Sequence, residues 1–246
     1  MSIELRCENL SFSVKNRHIV SNVSISARQG EVVGIFGPNG AGKTTTFHMI
    51  AGIISCSSGR MFFNDEDITR LALCNRAKLG LFYLPQDSSI FKELSVYDNI
   101  LGAVECRKDL SRANKIAKVE EILELIGLTK IAKSAGKSVS GGERRRIEIA
   151  RLLALSPKMI MLDEPFAGVD PIAVNDIKAI IKKMADSNVG IVITDHNVRE
   201  TLTLCCRGYV LHDGNVISSG KPKTIIKCPK VSEVYLADTF SDIINS

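Results

Sequence analysis

Residues 37–44, GPNGAGKT, set three glycines, a lysine and a hydroxyl at the spacing G-x-x-x-x-G-K-[ST]. Backbone N–H groups can converge on phosphate oxygens only where a side chain is absent and positive φ is cheap, and Gly37, Gly40 and Gly42 meet that need. Pro38, Asn39 and Ala41 complete the loop. Lys43 offers a point charge toward the β and γ phosphates and Thr44 a hydroxyl for Mg²⁺. From Thr45 onward a helix aims its positive dipole end at the anion. The apolar run 32–36 ahead of the loop and residues 45–50 behind it frame it as strand, loop and helix. A glycine-rich turn with a surface lysine would lack that frame. The expectation is a nucleoside-triphosphate site.

A second group of residues supplies reactive chemistry. Residues 159–164, MIMLDE, read as a buried parallel strand that ends in two adjacent carboxylates, where ligand-facing groups gather in an open α/β sheet. Side chains alternate along a strand, so the two acids need not share a task. Beside a phosphate loop, Asp163 would hold Mg²⁺ through water and Glu164 would sit nearer the γ-phosphate to polarise the attacking water.

The surrounding sequence indicates what positions these groups. Strands are expected at 19–26 and 31–36, so the first ninety residues read as strand-rich, with one main helix after the phosphate loop. The texture changes at Leu94. Ser95 can cap a helix running to Val104, and residues 115–126 carry Ile116, Val119, Ile122, Leu123 and Ile126 at helical spacing. A third helix follows Gly141 and Gly142 and stops before Pro157. Residues 88–156 therefore read as a helical lobe between strand-forming parts. Beyond it, strands at 159–162, 190–194 and 209–212 alternate with helices at 172–185 and 198–205, and Asp213-Gly214 turns the last strand into 215–219. This rhythm predicts an α/β fold with a mainly parallel sheet covered by helices.

Composition narrows the class. The 246 residues are 45% hydrophobic and 24% charged, ordinary for a globular chain with a sizeable core. No apolar run approaches the roughly eighteen residues of a membrane span, and no basic-then-apolar leader opens the chain. Seven cysteines without a C-x-x-C pair suit reduced thiols rather than a disulfide frame or a zinc site. The net charge of +5 fits a solvated surface.

Within the helical lobe, residues 139–144, VSGGER, place a hydroxyl and two glycines at a helix start, a second anion-binding helix end. One nucleotide cannot easily use two such ends on two lobes of one chain, so a partner molecule is expected.

Taken together, GPNGAGKT, Gln86, SGGER, MIMLDE, Asp170 and His196, in that order over nearly the whole chain, resemble the nucleotide-binding subunit of ATP-binding-cassette (ABC) transporters. The resemblance implies a P-loop ATPase fold with an N-terminal antiparallel β region, a mainly parallel core sheet and an inserted helical subdomain. It makes residues 1–246 one domain: 1–87 and 157–226 form the nucleotide-binding core, 88–156 the helical subdomain and 227–246 a C-terminal tail. It further implies a head-to-tail homodimer enclosing two ATP and Mg²⁺. Each ATP would be held by the phosphate loop of one copy and by Ser140, Gly141, Gly142 and Glu143 of the other. Gln86 would approach Mg²⁺ and the attacking water, Asp170 would lie in the loop crossing the dimer, and His196 would reach the γ-phosphate. The catalytic set would be Glu164, His196, Gln86 and Lys43, with Thr44, Gln86 and Asp163 around Mg²⁺. The family often stacks adenine on an aromatic residue upstream of the phosphate loop. By spacing this chain has Val14 there, with Phe12 on the same strand face, so either Phe12 takes over or adenine packs on an aliphatic surface.

Segments outside the shared machinery, including YLPQDSSIFKELSVYDNI, LDEPFAGVDPIAVNDIK and VYLADTF, are similar to the lipopolysaccharide-export branch of the family. That implies two transmembrane permease subunits as partners, docking in a groove along residues 88–94 with Phe91 as an apolar anchor. The chain would be cytoplasmic and peripheral on the inner membrane, its lipid cargo would not touch it, and nucleic acid would not be a direct partner. Branched-chain amino-acid importers share similar segments and the same motor chemistry. A nucleic-acid-linked ATPase would need a long coiled-coil insertion or a basic, aromatic-bearing groove, and neither is apparent.

Overall fold

The computed structural model describes residues 2–236. Strand β1 (Glu4–Val14) pairs antiparallel with β2 (Arg17–Arg28), from Glu4 opposite Arg28 to Val14 opposite Arg17. Leu5 and Cys7 face inward, but the next apolar residue, Leu10, is three positions on, which breaks the alternation. Asn9 at φ +51° absorbs the odd residue, and the register with β2 shifts between Cys7 and Leu10. This bulge returns Leu10 to the buried side.

After β2 come β3 (Val32–Phe36), α1 (Lys43–Ala51), β4 (Ser58–Phe63), the short β5 (Glu66–Asp67), α2 (Leu73–Leu79) and β6 (Leu81–Leu84). The helical lobe follows with α3 (Val96–Val104), α4 (Arg112–Leu125) and α5 (Gly141–Leu153). Next are β7 (Met159–Asp163), α6 (Pro171–Asp186), β8 (Gly190–Thr194), α7 (Val198–Leu204), β9 (Arg207–His212) and β10 (Asn215–Gly220). Two short helices, α8 (Pro222–Ile226) and α9 (Pro229–Val231), lead into a single wide turn at Ser232–Leu236.

The strands form a four-stranded sheet, β2-β1-β4-β5, and a six-stranded sheet, β10-β9-β3-β8-β7-β6. In the larger sheet only the β9–β10 hairpin is antiparallel. Its central strands are buried on both faces, so alternate residues serve different cores. Val33, Ile35, Met159 and Met161 join α1 and the small sheet in one core, whereas Val32, Phe36, Ile160 and Leu162 join helices of the lobe and α6 in the other. The antiparallel N-terminal region and mainly parallel core sheet match the expectation from sequence.

Two expectations need adjusting. The first ninety residues hold a second helix, α2, besides α1, and the helix expected from residue 115 starts earlier, at Arg112, because Ser111 Oγ accepts the Asn114 N–H. In the tail, Val231 is fully buried and Tyr235 packs against the larger core, whereas residues 237–246 of the expected tail lie outside the described residues.

Helix α2 owes its place to Arg76. This fully buried guanidinium donates to Met49 O (2.9 Å) and Ile50 O at the end of α1 and to Leu71 O (2.8 Å) and Thr69 O (3.3 Å). A cation at a helix C-terminus is favoured by the helix dipole, and here it also serves the Ile50 carbonyl and shares the Met49 carbonyl with the Gly52 N–H. Arg76→Met should cost on the order of 3 kcal/mol by taking the buried donor away from the Ile50, Leu71 and Thr69 carbonyls. A lowered urea midpoint with an unchanged m-value would show it.

Candidate active site

The phosphate loop is pinned at both ends by close backbone contact. At Gly37 (φ +144°) a Cβ would lie 2.2 Å from Leu211 O, and at Gly42 (φ +96°) 2.8 Å from Ile19 O. No other residue fits there, so these two glycines tie the loop to β9 and β2. Lys43 is buried, and its Nζ donates to Gly37 O (2.7 Å) and Pro38 O (2.9 Å). Burial lowers its ammonium pKa, while the nearby Glu164 and Asp163 pull it back up. A cleft of about 290 Å³ opens over the loop, bordered by Asn39, Gly40, Gly42, Lys43, Thr44 and Thr45 on one side and by Glu164 and His196 on the other. Arg17 and Ile19 of β2 border it too, which the motif-based reading missed. Phe12 and Val14 do not line it. Val14 stands half-exposed at the hairpin end, opposite Arg17, and Phe12 packs against the smaller core.

The acid pair stands across from the loop. Asp163 closes β7, and its Oδ2 accepts the Tyr83 hydroxyl at 2.9 Å. Burial raises its carboxyl pKa, opposed by that hydrogen bond and by His48, Arg145 and Lys43. The next residue turns out of the strand: Glu164 adopts φ +46° and gives its N–H to Thr194 O at 2.8 Å. This turn carries its nearly buried carboxylate to His196, with Oε1 2.7 Å from Nε2. His196 itself is 56% exposed, open to the cleft.

Asp195, unnoticed in the sequence, holds the two segments in register. Its Oδ2 accepts the Phe166 N–H and its Oδ1 the Asn197 N–H, both at 2.8 Å. Burial raises its pKa, and these two donors oppose the rise.

The second glycine motif starts α5 elsewhere. Ser140 Oγ accepts the Glu143 N–H (3.2 Å) and Glu143 Oε2 accepts the Ser140 N–H (2.8 Å), a reciprocal cap. A Cβ on Gly142 would meet Ala173 Cβ at 2.3 Å, so this glycine lets α5 lie tight against α6. Asp170 caps α6 by accepting the Ile172 and Ala173 N–H groups, and Ile172 beside it is 79% exposed. Ser140, Gly141, Gly142, Glu143 and Asp170 take no part in the cleft over the phosphate loop. Gln86 and Gly141 instead share a smaller hollow of about 140 Å³, whose wall includes Glu164.

One buried ion pair ties these parts together. Arg145 donates to Glu148 Oε2 (2.9 Å), Pro85 O (2.8 Å) and Asp163 O (2.8 Å), while Glu148 Oε1 accepts the Ser89 N–H (2.9 Å). On the outer side of residues 85–91 runs an apolar groove of about 530 Å³, with Leu84, Pro85, Gly102, Ala103 and Leu152 among its walls. Phe91 stands at this groove, 52% exposed, with the Arg151 guanidinium 4.6 Å over its ring.

A glycine-lined phosphate loop opposite adjacent acids and a histidine, with a separate glycine-capped helix on an inserted lobe, defines a P-loop ATPase of the cassette type. The chain belongs to the ABC transporter family, whose sequence profile, described as ABC transporter, matches residues 20–167. It is thus an ATP-hydrolysing chain of that family. It is 48% identical over 240 residues to the lipopolysaccharide export system ATP-binding protein LptB of Haemophilus influenzae, covering 98% of this chain and 99% of that one. Its identity to the LptB of Escherichia coli strain K12 is 49% over 236 residues, covering 96% and 98%. In structure it resembles an ATP-binding cassette of an ABC transporter in its ADP conformation, with a TM-score of 0.85 at 30% identity, covering 97% of this chain and all of that one. Among the described residues, no helix is long and apolar enough to cross a membrane.

Glu164→Gln should retain ATP binding and lose hydrolysis by a factor on the order of 10² or more. A phosphate-release assay beside a nucleotide-binding isotherm measures both, and a parental rate would remove Glu164 as the base. Arg145→Met should destabilise the chain by about 3–5 kcal/mol, because Glu148 is left buried and unpaired. Adding Glu148→Met should recover only part of that stability in urea melts and not the hydrolysis rate, since the Pro85 and Asp163 carbonyls and the Ser89 N–H stay without partners.

Proposed function

We propose that this chain is the ATP-hydrolysing motor subunit of a lipopolysaccharide export transporter. ATP binding and hydrolysis would close and open a homodimer of it, and that motion would drive two membrane-embedded permease subunits. The observation that supports the homodimer is that the second anion-binding helix end, at Ser140 and Gly141, does not border the cleft over the chain's own phosphate loop. A head-to-tail second copy would bring its Ser140, Gly141, Gly142 and Glu143 over ATP, with Asp170 and the exposed Ile172 in the contact. The near full-length likeness to LptB chains supports lipopolysaccharide export as the process served.

Within each site, Gly37 to Gly42 would cradle the phosphates, Lys43 would neutralise the β and γ groups, and Thr45 would lie at the start of α1 beside them. Mg²⁺ prefers hard oxygen donors, and Thr44 hydroxyl, Asp163 Oδ1 and the Gln86 amide oxygen form an oxygen-only set that fits it. When bound, Mg²⁺ would offset the charge on the phosphate oxygens. Glu164 would take the proton of the attacking water, and His196, whose Nε2 lies 2.7 Å from Glu164 Oε1, would orient that carboxylate and reach the γ-phosphate. Arg17 and Ile19, which border the cleft, would help hold the base, beside either the Phe12 ring or the aliphatic surface at Val14.

Residues 1–87 and 157–226 would act as the nucleotide-binding core, 88–156 as the subdomain that engages the permeases and 227–246 as the tail. A permease segment would dock in the groove at Phe91, on the cytoplasmic side of the inner membrane, while the lipid stays within the membrane partners. The test is purification of the tagged chain from detergent-solubilised membranes. Two different transmembrane proteins of the lipopolysaccharide exporter type are expected. Amino-acid permeases would overturn the export reading, and DNA alone would overturn transport. On a sizing column the Glu164→Gln variant should run as a dimer with ATP and as a monomer without it.

A further inference from the structure

Tyr83 has no part in the hydrolytic set above, yet it touches that set. β6 and β7 run parallel with Tyr83 opposite Met161, so Tyr83, Met161 and Asp163 share one face of the sheet. From that face the Tyr83 hydroxyl donates to Asp163 Oδ2 at 2.9 Å. The ring is fixed from the other side by His48 of α1, edge-on with centroids 6.0 Å apart and planes at 90°. Because His48 lies on the helix that begins with Lys43 and Thr44, the phenol is braced by the element that carries the phosphate loop.

A carboxylate at a strand end can rotate and offer either oxygen. A hydrogen bond from a neutral hydroxyl to an ionised carboxylate is among the stronger kinds, and it removes that freedom. Metal-binding carboxylates are commonly oriented by such outer partners, whose loss weakens metal binding about 10- to 100-fold. We propose that Tyr83 is a positioning residue for the divalent cation: it engages Oδ2 of Asp163 and leaves Oδ1 as the one oxygen presented to the cation or its water. This rests on the reading of Asp163 as a Mg²⁺ residue. Tyr83 also borders the groove that holds Phe91, so the same strand end meets both the cation carboxylate and the docking surface.

The experiment compares the affinity of the full chain for a non-hydrolysable ATP analogue with Mn²⁺ and with EDTA, in the parent, Tyr83→Phe and Asp163→Asn. Phenylalanine keeps the ring against His48 and removes only the hydroxyl. In Tyr83→Phe the tightening by Mn²⁺ should fall about tenfold, with unchanged affinity in EDTA and a thermal midpoint close to the parent's. Rotamer control is overturned if Tyr83→Phe keeps the parental tightening, or if its affinity falls equally with and without metal, which a merely structural role would give. Asp163→Asn separates the two levels. If it loses the tightening while Tyr83→Phe does not, only the Tyr83 assignment falls; if it keeps the tightening, the reading of Asp163 falls as well.

Discussion

The guanidinium of Arg145 lies where α5, the end of β7 and the chain leaving β6 meet, and the geometry of the site depends on it. A buried cation is tolerated only when paired and hydrogen-bonded, and Arg145 meets that demand with one carboxylate and two main-chain carbonyls. Those carbonyls belong to Pro85 and Asp163, neighbours of Gln86 and Glu164. Glu148, its partner, takes the N–H of Ser89 in turn. A single charge thereby relates the glycine-capped helix, the acid pair and one wall of the outer groove, and none can shift far without leaving a buried polar group unpaired.

Around that hub, the chemistry is sorted by where strands of the large sheet end. β3 delivers the phosphate loop, β7 the two acids and β8 the Asp195–His196 pair, all on the edge where ligands bind in open α/β sheets. The left-handed turn at Glu164 separates two acids that adjoin in sequence: one stays with the strand and Tyr83, the other crosses to His196. Asp195 staples these turns by bonding main-chain N–H groups of both. Burial makes its negative charge costly, which the two N–H donors offset.

Much of this was legible in the sequence where a local rule decides the structure. Glycine spacing located the phosphate loop, apolar runs located β7 and β8, and Ser95 marked its helix start, because caps and buried strands depend mainly on near neighbours. Helix α2 was not legible, since its seven residues show no clear period and its anchor, Arg76, reaches carbonyls 26 and 27 positions earlier in the chain. Arg145 and Glu148 carry no local signal of burial, and it is packing against β7 and the chain after β6 that turns them inward. Asp195 had a faint signal, an acid directly before a histidine at a strand end. Position 14 was picked out by spacing alone, whereas Arg17 and Ile19 border the cleft because the β1–β2 hairpin brings them there, which spacing does not reveal.

Strand β6 is the outermost member of the six-stranded sheet, bonded along one side only, to β7. The chain leaves it directly for the helical lobe. A central strand would transmit any swing of that lobe as torn ladder bonds on two flanks, whereas a border strand yields on one. The lobe thus enters from the sheet's margin at β6 and returns to it at β7, where the bond from Arg145 to the Asp163 carbonyl fastens its last helix beside the acid groups.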